Sequence, residues 1–322
     1  MVLQRVKNAL KRPIFIGERP SGESTAALSG PDWVQASPER IDEALAHALA
    51  KPDGGWYVVD ASNTIGASPS SYTINGKEVV LWRGETGVLA APEACPHMGA
   101  SLTCAPVQGD SLICPWHGLK LGPKGHGTWR HFKAHDDGVL TWVQIPQKGV
   151  KRSDAPILAD RPARFIDAVI RMEAACEPED IIANRLDPWH GCHFHPYSFA
   201  QLKVLEATVD VLTLRVAFRI AGPLLIEVDA TFHTPDPRTI VMTIVGGDGV
   251  GSVVETHATP IGPGRTAMIE ATLATSDRPG FNRILSMARI VRPYMKRSAR
   301  KLWVDDVEYA ERRYSLRKDQ TT

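Results

Sequence analysis

Five long runs between about Val204 and Thr275 alternate apolar and polar residues: ATVDVLTLRVAFRI, LLIEVDATFHT, TIVMTIVGG, SVVETHATPI and TAMIEATLAT. Each closes at or near Gly, Pro or Asp. A period of two over such lengths predicts half-buried strands, and their succession predicts an antiparallel meander. FIDAVIRMEAAC opens this region, and a helix is expected from about Glu179 to His190. From Arg278 to about Arg317 the pattern turns helical, with a basic face at Arg292, Lys296, Arg297, Arg300 and Lys301. A sheet with a long helix across it makes an α+β domain with a cavity between the layers.

Upstream, from Gly55 to about Ile145, the runs are shorter: WYVVDAS, EVVLWR, GVLAAP and VLTWVQI, separated by Gly, Asn, Asp and Pro. They predict a small all-β domain. Before it, Ser37 precedes Pro38 and an acidic first turn, the start signal of a helix that ends at Pro52-Asp-Gly-Gly. The division expected is therefore an N-terminal helical segment over 1–53, a β domain over 54–148, a linker over 149–163 and an α+β domain over 164–322.

The chain is long enough for two cores, and its 37 basic against 36 acidic residues give no global field for nucleic acid or an anionic membrane. Five cysteines are too few for a disulfide framework, so a reducing, cytoplasmic setting is expected. No apolar run reaches membrane-spanning length. Val2, Val6 and Leu10 form a short apolar stripe that suits packing on the protein itself.

The β domain contains CPHMGASLTCAPVQGDSLICPWHG, in which Cys95 and His97 are followed, after sixteen residues, by Cys114 and His117. Each Cys-His pair is a short knuckle, stiffened by Pro96 or Pro115 and turned behind the histidine by Gly99 or Gly118. Two metals fit four such ligands: a structural zinc, or a [2Fe–2S] cluster with cysteines on one iron and histidines on the other. Cys104 stands apart and is expected to be a small buried thiol.

Zinc fingers pair Cys with Cys, whereas here each knuckle holds one of each, an order that resembles the Rieske [2Fe–2S] motif. The resemblance implies Cys95 and Cys114 on the inner iron and His97 and His117 on the outer one. Such a cluster moves single electrons and has no open coordination position, so substrate chemistry must lie elsewhere.

NRLDPWHGCHFHPYSF carries three histidines within six residues, and its Asp187-x2-His190-x4-His195 resembles the mononuclear iron motif of Rieske non-haem iron oxygenases. His193 is the rival ligand. In KLWVDDVEYAERRY, Asp306 and Glu311 resemble the D-x4-E of that family's third-ligand helix, with Asp305 as the alternative. Two histidines and one carboxylate make a facial triad that leaves positions for dioxygen on Fe(II).

Membership in this family implies a helix-grip, START-like second domain and a terminal oxygenase that hydroxylates, demethylates or desaturates a small hydrophobic substrate. It also implies a separate ferredoxin or NAD(P)H-dependent reductase, because the chain has no nucleotide-binding fingerprint. The family pattern further implies a homotrimer in which Asp187 bridges one subunit's cluster to its neighbour's iron, with Asn184 also near the iron. The alternative is a Rieske electron carrier fused to a hydrophobic-ligand-binding domain.

Overall fold

The computed structural model describes residues 14–22 and 37–319; the stripe of Val2, Val6 and Leu10 lies outside them. A short strand, β1 (Ile14–Phe15), precedes helix α1 (Pro38–Leu49). Ser37 Oγ accepts the Arg40 N–H at 3.3 Å, as expected of the residue before Pro38. The N-terminal segment is not purely helical, since β1 runs parallel to a strand of the large sheet through Ile14–Leu224 and Phe15–Leu225. Nor is it separate: Ile41, Ala44 and Leu45 of α1 are buried in the same cluster as Ile181 and Ile182 of the second domain.

Nine short strands follow: β2 (Trp56–Ala61), β3 (Ser70–Ile74), β4 (Lys77–Arg83), β5 (Val88–Pro92), β6 (Val107–Gln108), β7 (Ser111–Ile113), β8 (Lys120–Leu121), β9 (Lys133–Asp136) and β10 (Leu140–Gln144). They form three small sheets in the orders β2-β10-β9, β3-β4-β5 and β6-β7-β8. The small all-β domain read from the short runs is thus present.

The second domain begins with β11 (Ile166–Ala174), α2 (Pro178–Leu186) and α3 (His190–Phe194). Six strands then meander: β12 (Phe199–Ala207), β13 (Val211–Ala221), β14 (Leu224–Asp236), β15 (Thr239–Gly247), β16 (Val253–Gly262) and β17 (Arg265–Ala274). β11 returns to pair with β17, so the sheet order is β11-β17-β16-β15-β14-β13-β12. Helices α4 (Phe281–Ser286) and α5 (Ala288–Asp319) end the described chain.

Alternation along β17 sends Met268 and Glu270 to one face and Ile269, Ala271 and Leu273 to the other. The first face meets α5 through Trp303 and Ala310. The second packs on Trp56, Val58, Leu140 and Trp142 of the β domain. The sheet is therefore covered on both sides. Along α5, Trp303, Asp306 and Ala310 are buried at helical spacing, and truncating Trp303 to Ala costs about 3–5 kcal/mol.

Three local expectations are corrected. The helix expected from Glu179 to His190 is broken: α2 stops at Leu186, and Asp187 takes φ −90°, ψ 107° because Pro188 excludes the helical conformation from the residue before it. Gly191, which together with Pro196 reads in the sequence as the stop signal after His190, lies inside α3 instead. Cys104 is exposed, since the turn after Leu102 directs it outward.

The segment 149–163 has no regular structure, yet it is pinned. Arg161 Nε and Nη2 donate to Glu255 at 2.6 and 3.0 Å, and its Nη1 lies 2.8 Å from Asp137 Oδ1, so one side chain ties both domains together.

Candidate metal centres

The two knuckles share one construction. The Cys95 N–H donates to Ala100 O and the Gly99 N–H to Cys95 O; the Cys114 N–H donates to Leu119 O and the Gly118 N–H to Cys114 O. Each turn needs a positive φ, supplied by Gly99 at 76° and Gly118 at 68°. Ala100, Leu102, Leu112 and Leu121 pack beneath, so Cys95 and Cys114 are buried while His97 and His117 stand exposed above them.

The imidazole rings are 4.8 Å apart between centroids. Burial pushes the Cys95 thiol up. At Cys114 burial is outweighed by hydrogen bonds from the Trp116 N–H, the Cys95 side chain and the His117 N–H, and its pKa is lowered. Two buried sulfurs, amides aimed at them and two paired imidazoles suit a cluster with an inner and an outer iron.

The second site is built from α2, the turn after it, α3 and α5. His190 opens α3 and His195 caps it, its N–H donating to Gly191 O at 3.1 Å. His190 Nε2 and His195 Nε2 lie 3.1 and 2.8 Å from one oxygen of Asp306, Oδ1. The three donors lie within 4.8 Å of one another, and Asp306 has no exposed surface. Asp306 Oδ2 is buried with no partner among the described residues.

The far side of each imidazole is tied. His190 Nδ1–H donates to the Asp187 carbonyl at 2.9 Å, and His195 Nδ1–H to Asp305 Oδ2 at 3.3 Å. Those bonds place the protons on Nδ1 and turn both Nε2 atoms to one point, the arrangement a metal with imidazole ligands needs. Burial lowers the affinity of His190 for a proton, but Asp187 and Asp306 outweigh it and push its pKa up to about 9. Burial also opposes ionisation of Asp306; the two adjoining histidines, His190 before His195, outweigh it and hold the carboxyl well below the usual carboxylate range.

Asp306, not Asp305, therefore meets both histidines; Asp305 accepts the Tyr197 hydroxyl at 2.5 Å and stands behind His195. Asn184 Nδ2 donates to Asp306 Oδ1 at 3.1 Å from the last turn of α2. Asp187 Oδ1 accepts the Trp189 N–H at 3.0 Å, and its Oδ2 accepts the Tyr309 hydroxyl at 3.4 Å. His193 is exposed, away from this group. Glu311 accepts the Ala175 N–H at 2.7 Å and serves the fold.

The histidines and Asp306 line a cavity of about 340 Å³ between α5 and the sheet, walled by Leu214, Val216, Phe218, Phe232 and Met242. Several of its features escape sequence reasoning. Glu270 is buried on the wall and accepts Trp303 Nε1–H at 2.6 Å; its one signal is a lone acid on the inward face of an apolar strand. Arg185 also lines the cavity, its guanidinium 5.7 Å from the Phe232 ring and 5.9 Å from the Trp303 ring. Tyr309 was legible in principle, three residues beyond Asp306 on the same helical face.

Residues 55–146 match the family described as Rieske [2Fe-2S] domain. A Rieske domain joined to a helix-covered sheet with a His-His-Asp group is the combination that the resemblance to Rieske non-haem iron oxygenases implies, and its donor sets fit a [2Fe–2S] cluster and a mononuclear iron. The chain belongs to the family described as Domain of unknown function (DUF5914), whose model matches residues 147–321.

Over 197 residues, 53% of this chain and 55% of the relative, it is 39% identical to the vanillate O-demethylase oxygenase subunit of Pseudomonas sp. (strain HR199 / DSM 7063). The matches span about half the length of the curated relatives, or less. The fold is similar to that of dicamba monooxygenase bound to dicamba, with a TM-score of 0.63 at 16% identity over 83% of this chain and 88% of that one. It is also similar to the terminal oxygenase of carbazole 1,9a-dioxygenase from Nocardioides aromaticivorans IC177, with a TM-score of 0.59 at 12% identity over 90% and 91%. Among the described residues no helix is long and apolar enough to cross a membrane.

Proposed function

We propose that this chain is the terminal component of an oxygenase in which Cys95, His97, Cys114 and His117 hold the cluster and His190, His195 and Asp306 hold the mononuclear iron. When bound, the cluster supplies electrons one at a time and the iron supplies the site at which dioxygen is activated. The observation that carries the reading is the meeting of two Nε2 atoms at one oxygen of a fully buried carboxylate, on the wall of an apolar cavity.

The chain's own residues do the rest. Asp187 O and Asp305 orient the imidazoles, and Asn184 holds Asp306 by its amide. The apolar walls keep bulk water away and receive a hydrophobic substrate. Relatives named as O-demethylases and as an N-alkylformylase favour attack on a C–H bond, with demethylation among the outcomes.

Residues 1–53 serve as an N-terminal support, 54–148 as the electron-accepting domain, 149–163 as its tie and 164–322 as the catalytic domain. The exposed edge of His97 and His117 suits electron exchange with a separate ferredoxin or reductase. In a cytoplasmic homotrimer the same edge faces a neighbour's Asp187, whose side chain is 16% exposed behind His190.

Metal analysis of anaerobically prepared protein tests the reading. About three irons per chain are expected, two in the cluster and one beside Asp306, with Asp306→Ala losing one. Two irons, with turnover unchanged in Asp306→Ala, would indicate instead an electron carrier joined to a ligand-binding domain.

A further inference from the structure

The cavity beside the histidines does not end at its own walls. Ser198, Phe218, Tyr294 and Ser298 line both it and a second cavity of about 570 Å³, so the two meet at a shared neck. The floor of the second is apolar, with Ile226, Val228 and Ile244, while Arg219 and Arg278 stand among its polar lining. Arg278 Nη2 is paired with Asp248 at 2.6 Å.

On the α5 side the lining of the first cavity runs from Asp306 to Tyr294, twelve residues or about 18 Å of helix, and the neck lies at its Tyr294 end. On the sheet side the lining of the two together runs along β13 from Leu214 through Val216 and Phe218 to Ile220, six residues or about 20 Å of strand. The first cavity alone is near the lower limit of ligand sites, roughly 300–1,000 Å³, whereas both together approach the upper. A single aromatic ring leaves most of that apolar length uncovered.

We infer that the substrate is an elongated, largely apolar molecule of the long-chain or isoprenoid type, with its reacting end at His190, His195 and Asp306 and the remainder lying through the neck into the second cavity. This deepens the oxygenase reading, which supplies only the orientation. Binding is set by the cleft itself: each methylene that leaves water for an apolar wall strengthens binding about fourfold, and the gain continues for as long as there is wall to cover.

The test uses the full metal-loaded chain under anaerobic conditions and n-alkanols of increasing length, with binding read by titration calorimetry. Affinity is expected to rise about fourfold per methylene from about six carbons past the length that fills the first cavity. Ser298 is exposed on α5 at the neck, so Ser298→Trp adds bulk there without entering the core. That variant is expected to bind short alkanols as the parent does and to lose the gain for long ones, whereas Ser298→Ala keeps the parent's full series.

An affinity that levels off at short chains in the parent overturns the inference. So does a Ser298→Trp variant that keeps the long-chain gain, or one that weakens all lengths equally. Because no turnover is read, an iron count of two would refute the oxygenase reading and leave the alkanol series standing.

Discussion

Asp305→Asn separates the two adjacent acids of α5. The substitution keeps the size of the side chain and removes the charge that accepts the His195 Nδ1–H at 3.3 Å and the Tyr197 hydroxyl at 2.5 Å. A metal-bound imidazole depends on such an outer carboxylate for its tautomer, its tilt and the basicity of its other nitrogen. Loss of one weakens metal binding by about 10- to 100-fold. In free energy that is about 1.4–2.7 kcal/mol. The Asp305 side chain is 33% exposed, so solvent screens part of the charge and the lower half of the range is expected. Anaerobic Fe(II) titration against a competing chelator measures the change, with the electron paramagnetic resonance signal of the reduced cluster as an internal control that should not move. An affinity equal to the parent's would refute the orienting role. Loss of iron as complete as in Asp306→Ala would make Asp305 a ligand and overturn the assignment.

Apparent Fe(II) affinity should rise about tenfold per pH unit between about pH 6.5 and 8.5, because the metal must displace the proton that His190 holds up to about pH 9; a flat profile contradicts this. Asp187→Ala should leave the cluster spectrum intact and abolish turnover, and retained turnover would remove Asp187 from the electron path. Arg161→Met should destabilise the protein by about 3–5 kcal/mol at neutral pH in urea unfolding, since it strands Glu255 and Asp137, both nearly inaccessible. Burial raises both acids, but hydrogen bonds, with His257 first at Glu255 and Arg161 first at Asp137, hold them below their ordinary 4.5 and 3.8, so the parent keeps this stability above those values and loses it as pH falls through the lower folded ones. In the variant the stranded carboxyls take up protons more readily, so the difference from the parent should shrink toward about pH 5; a constant difference would show that charge is not the cause.

The cysteine and histidine knuckles were legible because all that makes them work is local. Two prolines, two glycines and four ligands sit in two short turns, and the same backbone hydrogen bonds close both. The meander was legible for a similar reason, since alternation is a property of each strand alone. The break between α2 and α3 was less so, although Pro188 announced it. The preference for Asp306 over Asp305 came from the resemblance to D-x4-E and not from any local pattern, because neighbours on a helix point about 100° apart and only the packing of Trp303 and Ala310 against the sheet decides which one faces inward.

Ligand types, their spacing and the period of each strand were set along the chain, where neighbours lie within a few residues of one another. The convergence of His190 and His195 on Asp306 spans 111 residues or more. The neck joining two cavities likewise unites Ser198 from a turn, Phe218 from a strand and Tyr294 from a helix. Arg161 links Asp137 to Glu255 across the two domains. Such distances in sequence are closed only when both faces of the sheet are buried, which is why no local pattern could announce the length of the cleft or the clasp beneath it.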